Sequence, residues 1–243
     1  MTKGQTYPRR GLHGAVVHEI GIRILRGELK PGDLLPTEEQ LADGGNLTVS
    51  RTVLRETIKV LAAKGLVESR PKTGTRVRPR TAWNLIDPDV LAWRLETKPD
   101  RQFFQDLIEI RRILEPEIAR LAATRATDEE VDALEAAFRE MEAAWPAVDA
   151  YLEPDLRFHA IMLAACHNEL LEQMATILRG VWRPLFTTAS TPPVMERALP
   201  LHGAIVDAIR ARDADASELA MLVLIDDTAG AIEMNVSNGT PQN

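Results

Sequence analysis

Cysteine is nearly absent from this 243-residue sequence, in which Cys166 is the only one. A single cysteine excludes an intrachain disulfide and a zinc site made of several cysteines from one chain. Long apolar runs are missing too, since no window approaches the roughly 18 apolar residues that a membrane helix needs. The basic start, MTKGQTYPRRG, has no apolar run behind it. We therefore expect no secretory signal and a cytoplasmic location.

The common catalytic motifs are also missing. The sequence contains no Gly-x-Ser-x-Gly, no phosphate-binding P-loop and no Gly-x-Gly-x-x-Gly. Cys166 and His167 are adjacent, but neighbours in a helix point in different directions, so they do not predict a catalytic pair. These absences weigh against an enzyme.

Charge is distributed unevenly along a chain whose net charge is -7. Residues 1–80 contain 15 Lys and Arg against 8 Asp and Glu, whereas the remaining residues contain 14 against 28. A basic module joined to an acidic one is typical of a nucleic-acid-binding domain attached to a partner domain.

Three helical patterns and a hairpin pattern occupy residues 12–78. Apolar spacing in Leu12–Leu29 predicts a helix, which Gly27 and the Pro31-Gly32 pair end. A capping box at Thr37 starts a short second helix. Ser50 caps a third helix, which Gly65 closes. Two β-like runs around a glycine-containing turn follow. This order predicts a winged helix-turn-helix.

The third predicted helix is the candidate DNA-reading element. Arg51 and Arg55 are spaced i, i+4 and face solvent at its first turn, where a helix can enter the major groove. Arginine can bond guanine edges or phosphates, and both readings stay open. The predicted DNA-binding residues are Thr48, Ser50, Arg51, Thr52 and Arg55, with Lys72, Thr73, Gly74 and Thr75 at the hairpin tip.

Beyond residue 80 the pattern is helical almost throughout. We predict a mainly α protein with a winged helix-turn-helix at residues 8–79, a linker at 80–87 and an all-helical bundle at 88–236.

Two features of the bundle suggest a ligand site. Asp155 and His159 lie at i, i+4 on one helical face, and His202 opens another helix; together they can bind a divalent metal or be unrelated core residues. Arg111 lies beside apolar residues, so it needs an anion, which is either an internal Glu or a bound carboxylate. Trp182 precedes Arg183, and core packing is its ordinary role.

Several short motifs occur together in the two halves. The first half contains PGDxLPxE at 31–38, VSRxVLRE at 49–56, KGLV at 64–67 and TGTxV at 73–77; the second contains ExRxxLEP at 109–116, DxxFH at 155–159, HN at 167–168 and a histidine at 202. In combination they resemble the GntR family of bacterial transcription regulators, in the FadR-type subfamily with an all-helical FCD effector domain. The segment from Trp83 to Trp93 is similar to that of sugar-acid regulators within this subfamily.

The resemblance implies a homodimer on a palindromic operator, controlled by a small carboxylate such as the sugar acid galactonate. It assigns effector binding to Arg111, Asn168, Trp182 and Arg183. It assigns a divalent metal (Zn, Ni or Mn) to Asp155, His159 and His202.

The sequence departs from the family pattern at three places. Leu224 stands where the family has its fourth metal ligand, a histidine, with Asp226 and Asp227 as the nearest substitutes. Glu39 replaces a DNA-contacting arginine, and the turn at Gly44–Asn46 is about two residues longer than usual. The first departure affects metal retention, and the other two affect DNA docking.

We therefore predict a DNA-binding transcription regulator, a repressor, that responds to a sugar acid and is not an enzyme. The alternatives are a sequence-tolerant DNA-binding protein without an effector and a metal-dependent enzyme with an accessory basic domain.

Overall fold

The computed structural model describes residues 11–36, 50–70, 73–97 and 101–238. The chain divides into two compact units, Met1–Pro99 and Asp100–Asn243. The first unit holds helices α1 (Leu12–Leu25), α2 (Arg51–Ala63) and α3 (Pro88–Glu96), with strands β1 (Val67–Arg70) and β2 (Gly74–Val77) and a 3-10 turn at Arg80–Ala82.

Local signals fix the ends of α2 and of the hairpin that follows it. The Ser50 hydroxyl accepts a hydrogen bond from the Val53 amide, as expected of an N-cap. Gly65 follows the helix with a φ of +75°, and a Cβ there would come within 2.3 Å of the Ala82 carbonyl oxygen. The strands pair antiparallel, with Val67 opposite Val77. The predicted winged helix-turn-helix is confirmed in these elements, while the helix predicted to begin at Thr37 lies outside the described residues.

The core of the first unit lies between α1, α2, the hairpin and α3. Its fully buried members include Val17, Ile20, Leu61 and Leu66. Trp93 of α3 packs against α1 at Gly21, where an added Cβ would come within 2.5 Å of the indole ring. Helix α3 is therefore part of the first unit.

The segment after the wing is bonded to this unit, although the sequence predicts a linker there and a bundle from residue 88. The Lys64 ammonium, at the end of α2, binds Asp87 at 2.8 Å and also binds Asp89. Burial lowers the pKa of Lys64, but the two carboxylates outweigh it and raise that pKa. The Asn84 amide also donates to the Lys64 carbonyl at 3.0 Å. Helix α2 is thereby joined to α3, and the two compact units divide only after Pro99.

The second unit is all-helical in its described residues, as predicted. Its helices are α4 (Arg101–Arg125), α5 (Asp128–Ala144), α6 (Val148–Ala164), α7 (Glu169–Ala189), α8 (Pro192–Arg210) and α9 (Ala214–Asn238). Within the described ranges, no helix is both long and apolar enough to cross a membrane.

Two surface ion pairs show the relative direction of the first and last bundle helices. Arg112 of α4 binds Asp226 of α9 at 2.8 Å, and Arg120 binds Glu218 at 3.4 Å. Because residue numbers rise along α4 as they fall along α9, the two helices run antiparallel. Helices α6, α7 and α8 complete a core around buried Phe158.

Candidate ligand and metal site

The structure brings Asp155, His159 and His202 together inside the bundle. Asp155 and His159 lie one turn apart on α6, and His202 reaches them from α8. One ligand atom from each lies within 4.8 Å of the other two. All three side chains are buried. The sequence prediction that these residues form one cluster is thus supported by geometry.

The orientation of His202 favours a cation at this point. Its Nδ1 lies 2.9 Å from the Ala198 carbonyl oxygen, so Nδ1 carries a proton that it donates to that oxygen. Its Nε2 then faces the Asp155 Oδ1 at 3.3 Å. A neutral imidazole would place two lone pairs opposite each other there, and a proton or a metal ion between them removes the repulsion.

His159 lies between two carboxylates. Its Nε2 is 3.5 Å from the Asp155 Oδ1, and its Nδ1 is 3.4 Å from the Glu115 Oε2. Burial lowers the pKa of His159, but the two carboxylates outweigh that effect and raise it. Burial likewise raises the pKa of Asp155, and the two histidines more than reverse this, leaving it well below its usual range. The cluster therefore favours an ionised carboxylate beside positive charge.

Glu115 of α4 organises the other side of the site. Its carboxylate accepts two hydrogen bonds from Arg111, from Nε at 2.8 Å and Nη2 at 3.1 Å, and a third from the Trp182 indole at 2.6 Å. Burial raises its pKa, but Arg111 and His159 lower it to about 2. Of the two anions the sequence left open for Arg111, the internal Glu is present, and Nη1 is the guanidinium nitrogen that this pair does not use.

A cavity of about 20 Å³ adjoins the cluster. That is room for a water-sized group, so a six-carbon acid would enter only if the cavity widened. The lining residues come from α4, α6, α7, α8 and α9; the polar ones are Arg111, Tyr151, Asp155, His159, Ser190, His202 and Thr228.

The donor set fits a divalent metal. A carboxylate and two imidazoles suit Zn or Ni, and Mn accepts them as well. The far nitrogen of His202 donates to the Ala198 carbonyl, which is the usual support for a metal-binding imidazole. The far nitrogen of His159 lies 3.4 Å from the Glu115 Oε2 without forming a hydrogen bond among the described residues. Asp155 Oδ1 and His202 Nε2 are buried and have no hydrogen-bond partner among the described residues.

The remaining predicted ligand residues lie elsewhere. Asn168 caps α7, where its side-chain oxygen accepts from the Leu170 and Leu171 amides. Arg183 is exposed and binds Glu153 at 2.6 Å. Trp182 is buried behind the cavity, where it bonds to Glu115 rather than lining the space.

The fourth-ligand position is apolar, as the sequence indicated. Leu224 is buried and lines the cavity. Its possible substitutes bind arginines instead, Asp226 binding Arg112 and Asp227 binding Arg197. Neither aspartate is a member of the candidate metal group, which within the described residues consists of Asp155, His159 and His202.

The candidate DNA-binding residues that the structure describes are on the surface. Arg51, Thr52 and Arg55 are exposed on the first turns of α2. Thr73 and Gly74 are exposed at the hairpin tip, and Thr75 bonds to Ser69. Thr48, Lys72, Glu39 and Gly44–Asn46 lie outside the described residues.

Sequence reasoning offered an internal Glu as one partner of Arg111 without identifying it as Glu115, and it missed Tyr151. Glu115 stands four residues after Arg111, the helical spacing that allows an ion pair. Tyr151 stands four residues before Asp155, on the same face of α6. The four-residue spacing places Glu115 on the same helical face as Arg111 and Tyr151 on the same face as Asp155. That spacing alone does not show which face of the helix is buried.

Replacing Glu115 by Gln should destabilise the bundle strongly. The amide keeps the shape and can still accept from Trp182, but it leaves the Arg111 charge buried without a counter-charge. Removing one partner of a buried ion pair costs about 3–5 kcal/mol. We expect a loss of that size in the free energy of unfolding from chemical denaturation.

The matched control is Glu153→Gln, which breaks the exposed pair with Arg183. An exposed pair contributes about 0–1 kcal/mol. Equal losses in the two variants would show that Glu115 does not hold the Arg111 charge.

Two family patterns match the chain. Residues 12–77 match the bacterial regulatory proteins of the gntR family, and residues 106–227 match the FCD domain. The matches correspond to the winged helix-turn-helix and to most of the helical bundle.

Known proteins align with the chain over most of their length. The galactonate operon transcriptional repressor of Escherichia coli K12 is 37% identical over 212 residues, covering 86% of this chain and 92% of that protein. The putative L-lactate dehydrogenase operon regulatory protein of the same organism is 33% identical, covering 88% and 83%. A solved structure of Lar, which controls the expression of the Listeria monocytogenes agr system, superposes with a TM-score of 0.57 at 19% identity, covering 97% of this chain and all of that one. This last likeness supports the fold alone.

Proposed function

The chain belongs to the gntR family of bacterial regulatory proteins, with an FCD domain, and we propose that it is a repressor released from its operator by a sugar acid. DNA-binding regulation itself comes with the family, whose members and relatives are transcription regulators and not enzymes. Its place of action would be the cytoplasm, where the DNA is.

The observation that carries the effector proposal is the small cavity of the bundle, whose lining includes buried charged side chains. A cavity with a guanidinium on one side and an Asp/His/His cluster on the other offers one site for a carboxylate and one for hydroxyl oxygens or a metal. Arg111 would bind the carboxylate through Nη1 while Glu115 holds its other nitrogens. The similar Escherichia coli protein is named for galactonate, which makes that acid the first candidate.

A metal fits the same proposal. FCD domains are known to bind metals, and Asp155, His159 and His202 would hold one here. Bound there, the ion would supply a Lewis-acidic position for an oxygen of the effector. Leu224 would leave that position open instead of filling it with a fourth protein ligand.

The effector proposal is tested by the release of promoter DNA. Galactonate should weaken the binding of the protein to its own promoter fragment at least fivefold, measured by fluorescence anisotropy at fixed salt. Arg111→Lys should reduce this response while leaving DNA affinity within about twofold, because one ammonium keeps the charge opposite Glu115 but lacks the guanidinium fork.

Two results would argue against this proposal. One is a wild-type protein whose DNA affinity ignores galactonate and other sugar acids. The other is an Arg111→Lys variant that responds normally.

The DNA-reading proposal is tested at Arg55. Arg55→Ala should weaken promoter binding about 5- to 150-fold if the side chain contacts a base edge. Galactonate binding, measured calorimetrically, should stay unchanged, because Arg55 lies in the other compact unit.

Arg23→Ala is the matched control, since it removes the same charge from the same unit at the end of α1. If both variants weaken promoter binding equally, Arg55 contributes only its positive charge and makes no specific contact with a base. DNA binding that ignores sequence in competition assays would favour the alternative of a sequence-tolerant binder.

We further propose that the protein is a homodimer that uses the outer face of α4 and α9. Ile113 is 66% exposed and Leu219 is 62% exposed, and Ile110, Leu222 and Val223 are exposed on the same two helices. In the antiparallel register all of these residues except Ile110 lie between the Arg112–Asp226 and Arg120–Glu218 ion pairs, and Ile110 lies two residues before Arg112. An apolar patch with a charged rim is typical of a protein interface. Two copies of one patch can pair about a two-fold axis, as a palindromic operator requires.

Ile113→Asp should convert the protein from a dimer to a monomer. Light scattering after size exclusion should give about twice 27.0 kDa for the wild type and 27.0 kDa for the variant. Leu170→Asp is the control, because Leu170 is also a highly exposed apolar residue but lies at the start of α7. A monomeric wild type, or a dimeric Ile113→Asp variant, would contradict this assignment.

A further inference from the structure

Tyr151 lines the cavity, and its buried hydroxyl is not used by the site's other residues. Tyr151, Asp155 and His159 follow each other at four-residue steps along one face of α6. The side chain is 2% exposed and lines the cavity. Its hydroxyl has no hydrogen-bond partner among the residues that the structure describes.

An unpaired buried hydroxyl lowers stability. Leaving such a group without a partner costs about 1–3 kcal/mol, whereas phenylalanine would fill nearly the same volume without that cost. Buried polar groups are otherwise almost always paired, so an exception that borders a cavity points to a partner that enters it.

The hydroxyl is also suited to a neutral hydrogen bond. Burial raises the pKa of Tyr151, and the negative charge of Asp155 raises it further. The group therefore stays an O–H at ordinary pH, and it can donate to an oxygen without adding charge. The cavity already contains a cation for a carboxylate and an Asp/His/His cluster.

We infer that Tyr151 binds a hydroxyl oxygen of the sugar acid and thereby contributes to the choice of a polyhydroxy acid over a plain carboxylate. The inference rests on the proposed function, because it takes the cavity to be the effector site. Tyr151 is a specificity residue in this account, and its stability cost is offset only when the acid is bound.

Tyr151→Phe separates binding from stability because the two should move in opposite directions. We expect the variant to bind galactonate about 2- to 10-fold more weakly in calorimetry, which is the effect of one neutral hydrogen bond. Without ligand, its melting temperature should equal or exceed that of the wild type. A purely structural role predicts a lower melting temperature and unchanged affinity.

Thr57→Val is the matched control. Thr57 of α2 is fully buried, and its hydroxyl also lacks a partner among the described residues, but it lies in the other compact unit. This variant should also keep its melting temperature, and its affinity for galactonate should not change.

The outcomes distinguish the inference from the proposal on which it rests. If the wild type binds no galactonate, the effector proposal fails and the role of Tyr151 fails with it. If the wild type binds and Tyr151→Phe binds equally well, only the role of Tyr151 is overturned. A lower melting temperature of the ligand-free variant would overturn it too, because the hydroxyl would then already be paired in the ligand-free protein.

Discussion

The second unit is organised around the compensation of buried charge. Arg111, Glu115, Asp155, His159 and His202 are buried together inside the bundle. Isolated charges in such a place would be prohibitively costly, so each must face an opposite charge or a hydrogen-bonding group. Arg111 and Glu115 satisfy each other, and Trp182 adds a third bond. Asp155 and the two histidines approach only to 3.3–3.5 Å.

The difference between these two halves of the cluster explains what the site can do. In the Arg111–Glu115 pair the two charges neutralise each other, and only Nη1 of the guanidinium is not used by the pair. Arg111 also lines the cavity. In the Asp155, His159 and His202 half, buried oxygen and nitrogen atoms of the side chains lack hydrogen-bond partners among the described residues. A metal ion, an effector or both would complete it. A ligand that completes the site stabilises the conformation in which it is bound. Because it binds one conformation better than another, it can shift a regulator between two states.

Much of the fold could be predicted from local signals. Ser50, Gly65 and the hairpin turn determine where α2 and the hairpin begin and end. Such signals can be found in the sequence because a helix cap or a glycine with positive φ affects only the few residues next to it. The packing of α3 could not be predicted that way. Helical periodicity shows that α3 has an apolar face, but only the fit of Trp93 at Gly21 and the Lys64 ion pairs reveal which unit covers it.

The site was predictable to a similar degree. The i, i+4 spacing and the family motifs identified Asp155, His159 and His202, and they identified Arg111 as a buried cation in need of an anion. They did not choose between Glu115 and a ligand as that anion, since both satisfy the same charge. Asn168 and Arg183 show the complementary limit, because a motif position does not reveal that a side chain caps a helix or binds a surface glutamate.

The central claim is that the Asp155, His159 and His202 half of the cluster is completed by a bound cation. Its most direct test is calorimetric titration of the metal-stripped protein with Zn²⁺, using wild type and His202→Ala. The account predicts one site per chain in the wild type and its loss in the variant. A wild type that binds no Zn²⁺, or a variant that binds it equally well, would contradict the account.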